Sequence, residues 1–302
     1  MNIRLDNSIL KTLTYFDIFQ YPLTAKEICL FSGIKTTLSD IENTLLELVK
    51  NGYIKNENEF YYLGETSYVL RRKKGNELAN KFLKKAYRFS KLIASFPFVE
   101  SIAISGSLSK NYMDSKSDID YFIIAKTNRL WLCRTFLSFF KKIFMFNSKK
   151  YFCTNYFVDI TNLEIPDKNI FTATEIITLI PTYNYDLYLR LLAKNTWTSD
   201  FFPNFLSTQS EILVKKKKNY FKFFIEWMLK GKVGTWVDNF CYKISMRFWK
   251  KHQYIDDKEY NRRFRYTKNV AKHHQGGFQT KVLDAYKSKL TQLEKQFDLT
   301  LV

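Results

Sequence analysis

The chain is poor in the residues that break structure: of 302 positions, 9 are glycine and 5 are proline. A linker-rich or disordered chain needs more of both. The aromatic share of 18% argues instead for an ordered protein with a real core, long enough for two or three modest domains. Cysteine is scarce as well. Cys29, Cys133, Cys153 and Cys241 show no paired spacing, so neither a disulfide framework nor a cysteine zinc site is expected, and buried thiols in a reducing cytoplasm are. There are 3 histidines, and His273 and His274 are adjacent. Neighbours in sequence do not share a helical face, so this pair does not make a metal site unaided. No run of about 18 uncharged apolar residues occurs, so no integral membrane segment is expected. Residues 1–9 contain Asp6 and no long apolar core, and do not read as a signal peptide.

Acidic residues are also in short supply. Lys and Arg total 48 against 29 Asp and Glu, a formal charge of +19. Such an excess bears on partners rather than fold: RNA or another anionic acceptor, an anionic membrane surface, or a nucleoside triphosphate. From Glu211 onward there are 21 cations and 9 acids. There, Lys215–Lys230 and Trp236–Lys251 interleave aromatics with lysines. Phosphate pairing and base stacking on single-stranded nucleic acid use that mixture. A helical core with a solvated basic face has it too, and so does a helix lying in a membrane interface, a reading that also fits Asn128–Phe146.

The chain is organised around one stretch. The apolar run Ile102-Ala103-Ile104-Ser105 ends in Gly106-Ser107. About ten residues later Asp118-Ile119-Asp120 opens a second apolar run, Tyr121–Ala125. The pattern predicts strand, tight turn, a short helix over Leu108–Met113, then strand. Gly106 permits close backbone approach. Ser107 and Ser109 place hydroxyls and free N–H groups at a helix start, a phosphate cradle that Lys110 would help neutralise. Alternation puts Asp118 and Asp120 on one face of the second strand, as paired divalent cations require. The next strand, Tyr151–Asp159, offers Asn155 or Asp159 on the same face; Asp159 carries the charge but lies at the strand end, whereas Asn155 is more central.

The Gly-Ser turn, the spacer and the Asp-x-Asp strand together resemble the signature of the DNA polymerase β-like nucleotidyltransferase superfamily, over roughly Phe98–Asp159. The resemblance implies an enzyme that moves a nucleoside monophosphate from a triphosphate to an acceptor hydroxyl and releases pyrophosphate. It implies Mg²⁺ or Mn²⁺ held by Asp118 and Asp120 with Asp159 as third carboxylate, and phosphates held by Gly106, Ser107, Ser109 and Lys110. The alternative is a non-catalytic nucleotide- or nucleic-acid-binding protein on the same fold.

Upstream, helical periodicity over Ser8–Phe19, Thr24–Gly33 and Thr37–Asn51 precedes a hairpin over Tyr53–Leu63. The order resembles winged-helix modules. Its third helix carries Asp40, Glu42 and Glu47 with Lys50 as lone cation, which suits a protein contact better than duplex reading. A basic helix over Leu70–Ser95 follows. Thr172 with Glu175 reads as a capping box, Pro181 as a helix stop, and Tyr185–Lys194 and Gln279–Phe297 as helices. The expected fold class is α+β. Its parts are a winged-helix-like module over residues 1–66, a small mixed sheet with its leading helix over 67–165, and a basic helical domain over 166–302.

Overall fold

A computed structural model describes residues 3–148, 150–206, 213–214, 219–250, 264–273 and 277–301. The fold is mixed α/β with two sheets. Helices α1 (Ile3–Asp17), α2 (Ala25–Phe31) and α3 (Leu38–Lys50) come first. Thr24 and Thr37 cap α2 and α3, reciprocated by Glu27 and Asp40. Strands β1 (Leu23–Thr24), β2 (Lys55–Glu57) and β3 (Phe60–Tyr62) form a small antiparallel sheet, in the order β1-β3-β2. Helix α4 (Ser67–Ala94) then leads to β4 (Val99–Ser105), α5 (Gly106–Ser109) and β5 (Asp120–Ala125). A crossover through α6 (Leu130–Phe144) places β6 (Cys153–Asp159) parallel to β5.

Beyond residue 165 the structure departs from the expected helical domain. Along with α7 (Ile170–Ile177), α8 (Tyr185–Lys194), α9 (Tyr220–Met228), α10 (Gly231–Lys250) and α11 (Phe278–Phe297), it holds β7 (Ile180–Tyr183), β8 (Phe264–Tyr266) and β9 (Val270–His273). All three strands join the central sheet, ordered β7-β4-β5-β6-β9-β8. Pro181 is therefore a strand residue. Its missing N–H is tolerated because β7 is an edge. Asn169, not Thr172, caps α7, accepting from the Thr172 N–H at 3.0 Å. Lys215–Lys218, Lys251 and His274 lie outside the described residues.

The period-2 alternation of β5 separates two cores. Tyr121, Ile123 and Ala125 pack with Ala86 and Ile93 of α4 and Trp131 and Leu137 of α6. Phe122 and Ile124 pack with Ile176 of α7 and Leu187 and Leu191 of α8. A third core joins α1–α3 to Phe171 and Ile177 of α7 and Val282 and Leu293 of α11. The N-terminal helices thus share their interior with the far end of the described chain.

Helix α10 packs on α6 and supplies its cap. The N-cap residue of α6, Arg129, makes no side-chain capping bond; instead Asp238 of α10 accepts from the Leu132 N–H at 2.9 Å. Asp238 is fully buried, and burial pushes its carboxyl from 3.8 up to about 6, against the opposing pull of the Leu132 and Trp131 N–H groups. A carboxyl raised on folding favours the fold while protonated, so its contribution is present below pH 3.8 and lost as pH rises through 6. The change is at most about 3 kcal/mol. Asp238→Asn is expected to flatten the melting temperature across pH 4–7 relative to wild type; parallel profiles would contradict this.

Candidate active site

The site is built where β4 ends. Gly106 adopts φ +70°, a left-handed conformation, and a Cβ there would stand 2.5 Å from Asp120 Oδ2. Only glycine lets the turn close directly on the carboxylate. The helix that follows, α5, spans only Gly106–Ser109, shorter and earlier than the expected Leu108–Met113. Four residues carry little macrodipole, so the turn itself, not a helix terminus, is what faces Asp120.

Across the turn, Ser105 pairs with Asp120 in the β4–β5 register. Asp118 stands just ahead of β5, half-buried. The loop that aims it is braced by Asp114, whose Oδ1 accepts from the Lys116 N–H at 2.9 Å and the Ser117 hydroxyl at 2.8 Å. Burial opposes charge on Asp114, but these bonds outweigh it and hold its carboxyl below the ordinary value.

Asp120 is in the opposite condition. Burial drives its carboxyl up to about 6; the Cys153 thiol pulls it back, Asp118 and Glu175 add negative charge, and Lys110 offsets part of that. Asn155 Nδ2 donates to Asp120 Oδ1 at 3.0 Å. Lys110 Nζ reaches Glu175 Oε1 at 2.7 Å and the Gly106 carbonyl at 3.1 Å. Ser109 Oγ donates to the same carbonyl at 2.9 Å, and Ser107 Oγ lies 3.7 Å from Met113 Sδ. Lys110 and Ser109 thus brace the glycine turn from behind.

A pocket of about 120 Å³ opens beside Asp120. Asn155, Glu175, Thr172 and Lys272 form its polar lining, and Phe122, Tyr156, Phe171 and Leu179 much of its apolar wall. Thr172 Oγ1 is buried there with no hydrogen-bond partner. Lys272 Nζ is held by Asp167 Oδ2 at 3.1 Å and Gln279 Oε1 at 3.0 Å.

Asp159 is not in this cluster, a correction to the sequence reading. Along β5 it pairs with Ala125, five residues from Asp120, or about 16 Å at the strand rise. A bulge also intervenes: Tyr121 pairs with Thr154 but Phe122 pairs with Tyr156, leaving Asn155 as the extra residue. One inserted residue reverses every later side chain. It keeps Asn155 beside Asp120 and turns Asp159 away. Asp159 accepts from the Asn128 N–H at 2.8 Å and from the Thr161 N–H and hydroxyl at 2.8 and 2.7 Å. It ties down the turn that enters α6. Asp159→Ala is expected to cost about 1–3 kcal/mol in urea unfolding without altering any activity of the folded protein. Loss of activity at full stability would restore Asp159 to the site.

The chain matches no protein-family model, no curated protein and no solved structure. The geometry therefore stands by itself. Glu175, read from sequence as a capping partner, is the carboxylate that approaches Asp120 from α7. Its position on the helix that also supplies Thr172 and Ile176 to the pocket was the available signal. Among the described residues, no group of three or more His, Cys, Asp or Glu side chains is placed to hold a metal ion. Nor, among them, is any helix long and apolar enough to cross a membrane.

Proposed function

We propose that the chain is a metal-dependent nucleotidyltransferase of the DNA polymerase β-like type, transferring a nucleoside monophosphate to an acceptor hydroxyl with release of pyrophosphate. The observation that carries the reading is the glycine turn closed on Asp120, with Asp118 beside it. Two oxygen donors of one sign, one of them held up to about 6 by burial and like charge, have the character of a site completed by a hard cation. Mg²⁺ is commonly bound by one or two carboxylates together with substrate phosphates and water, so a pair suffices.

Asp118 and Asp120 would hold Mg²⁺, or Mn²⁺ in its place. Bound there, the ion would supply positive charge to the phosphate oxygens and would lower the pKa of the acceptor hydroxyl. Gly106 leaves the turn bare so that a triphosphate can approach its backbone. Lys110 and Ser109 keep the turn in shape, and Lys110 places positive charge next to it. Thr172 Oγ1 and the apolar wall of the pocket offer a hydroxyl and a flat surface to a base or acceptor. The N-terminal unit is read as winged-helix-like and serves here as a packing platform.

Pyrophosphate release from each of the four nucleoside triphosphates, with Mg²⁺ or Mn²⁺ and with or without bulk RNA, tests the proposal. Release by at least one triphosphate is expected.

One observation favours a second reading, a nucleotide-binding protein without turnover: the side chain beside Asp120 on β6 is Asn155, which brings no third charge. Metal-dependent thermal stabilisation by a triphosphate, without pyrophosphate release under any condition, would select it.

A further inference from the structure

Helices α9 and α10 turn their greasiest side outward. On α10, Val233, Trp236, Phe240, Ile244 and Phe248 recur every three or four residues and are 50–68% exposed. On α9, Phe223, Phe224 and Trp227 are 54–69% exposed. Single exposed apolar residues mean little, but a contiguous stripe on two successive helices marks an interaction surface.

The inner side of the same helices is pinned by polar groups. Glu226 Oε1 accepts from the Phe98 N–H at 2.7 Å, and Asp238 caps α6. Arg129 binds the Leu229 carbonyl at 3.1 Å, the Gly231 carbonyl at 2.9 Å and Thr235 Oγ1 at 3.1 Å. It thereby fixes the corner that Gly231 makes with φ +68°. Orientation is thus set by the chain's own hydrogen bonds, and the aromatics face outward by construction.

Glu226 and Asp238 are the two acids between Tyr220 and Lys250. Both are spent inside: Asp238 is fully buried, and Glu226 also faces Lys126 and Lys222 across 3.9 and 4.0 Å. Lys230, Lys232, Lys243 and Arg247 lie on the exposed side. Among the described residues, the outer face therefore presents apolar and cationic groups and no carboxylate.

From this we infer that α9 and α10 form a docking face for an anionic lipid surface, lying in the plane of the interface. Trp and Phe enter the headgroup boundary while Lys and Arg meet lipid phosphates. Charge argues against a second copy, since two such cationic faces on chains of +19 repel. Shape and chemistry argue against a stacking groove for nucleic acid, because Val233 and Ile244 offer no ring and the face is the outer ridge of helices. The inference does not depend on the chemistry assigned to the site.

The test is co-sedimentation of the full chain with phosphatidylcholine vesicles, alone or with about one-third phosphatidylserine, alongside tryptophan emission. Binding to the anionic vesicles at least about tenfold above the neutral ones is expected, with a blue shift. Trp236→Glu with Phe240→Glu should lower that binding about tenfold or more, and Lys232→Glu with Lys243→Glu should lower it and its salt sensitivity. All four side chains are exposed, so unchanged melting is the control that the variants fold. Failure to bind either vesicle overturns the proposal. So does equal binding to both, or anionic binding that the Trp236 and Phe240 pair leaves unchanged.

Discussion

Asp120→Asn is expected to lower metal-dependent pyrophosphate release by about a hundredfold or more, and Asp118→Asn to do likewise. The substitution is nearly isosteric and can keep an acceptor for Asn155 Nδ2, so the β5–β6 pairing has no reason to change. What it removes is charge, the property a hard cation requires of its ligands. Stability should move the other way. A carboxylate that burial, Asp118 and Glu175 all disfavour costs the fold free energy when ionised, and an amide does not carry that cost. The melting temperature at neutral pH should therefore stay level or rise as turnover collapses. A residue with a merely structural role would lose both together. Wild-type turnover in folded Asp120→Asn would sink the proposed mechanism.

The largest stability effect is expected at Arg72. Arg72 projects from α4 into the N-terminal unit and is 4% exposed. Its Nη2 meets Glu27 Oε1 at 2.7 Å, its Nη1 bonds the Pro22 carbonyl, and its guanidinium lies over the rings of Tyr21 and Phe60 at 4.2 and 4.6 Å. Arg72→Met fills much of the space but strips the cation from Glu27 and the donor from Pro22. Removing one partner of a buried pair typically costs about 3–5 kcal/mol. Glu27 keeps some solvent and its bond to Thr24, so about 3 kcal/mol is expected in urea unfolding. Arg72→Lys should recover only part, because an ammonium neither stacks flat nor reaches both acceptors. A loss below about 1 kcal/mol would show the guanidinium to be incidental.

Much of this fold is legible in the sequence because its signals are local. Thr24 with Glu27 announces α2, and the gap from Gly106-Ser107 to Asp118 announces turn, spacer and strand. What stays hidden is register. The bulge at Asn155 leaves no mark in composition, yet it decides which of Asn155 and Asp159 stands by Asp120. The strands β8 and β9 are three and four residues long and hold Arg265 and Lys272. They read as part of a charge run until β9 pairs with the distant β6 and β8 pairs in turn with β9. Pro181 misleads for the same reason, since its meaning depends on β7 being an edge. Asn169 and Thr172 both have capping side chains, and only the backbone shows where α7 begins.

The position of β6 also sets a schedule for biosynthesis. One edge of β6 pairs with β5, already made, but the other waits for Val270–His273. More than a hundred residues separate the two, about 5–20 s of translation at typical ribosomal rates. Through that interval the nascent chain carries an open strand edge of the kind that recruits other chains. Closure of the sheet, and with it the seating of Lys272 in the pocket wall, is therefore a late event in the life of each molecule.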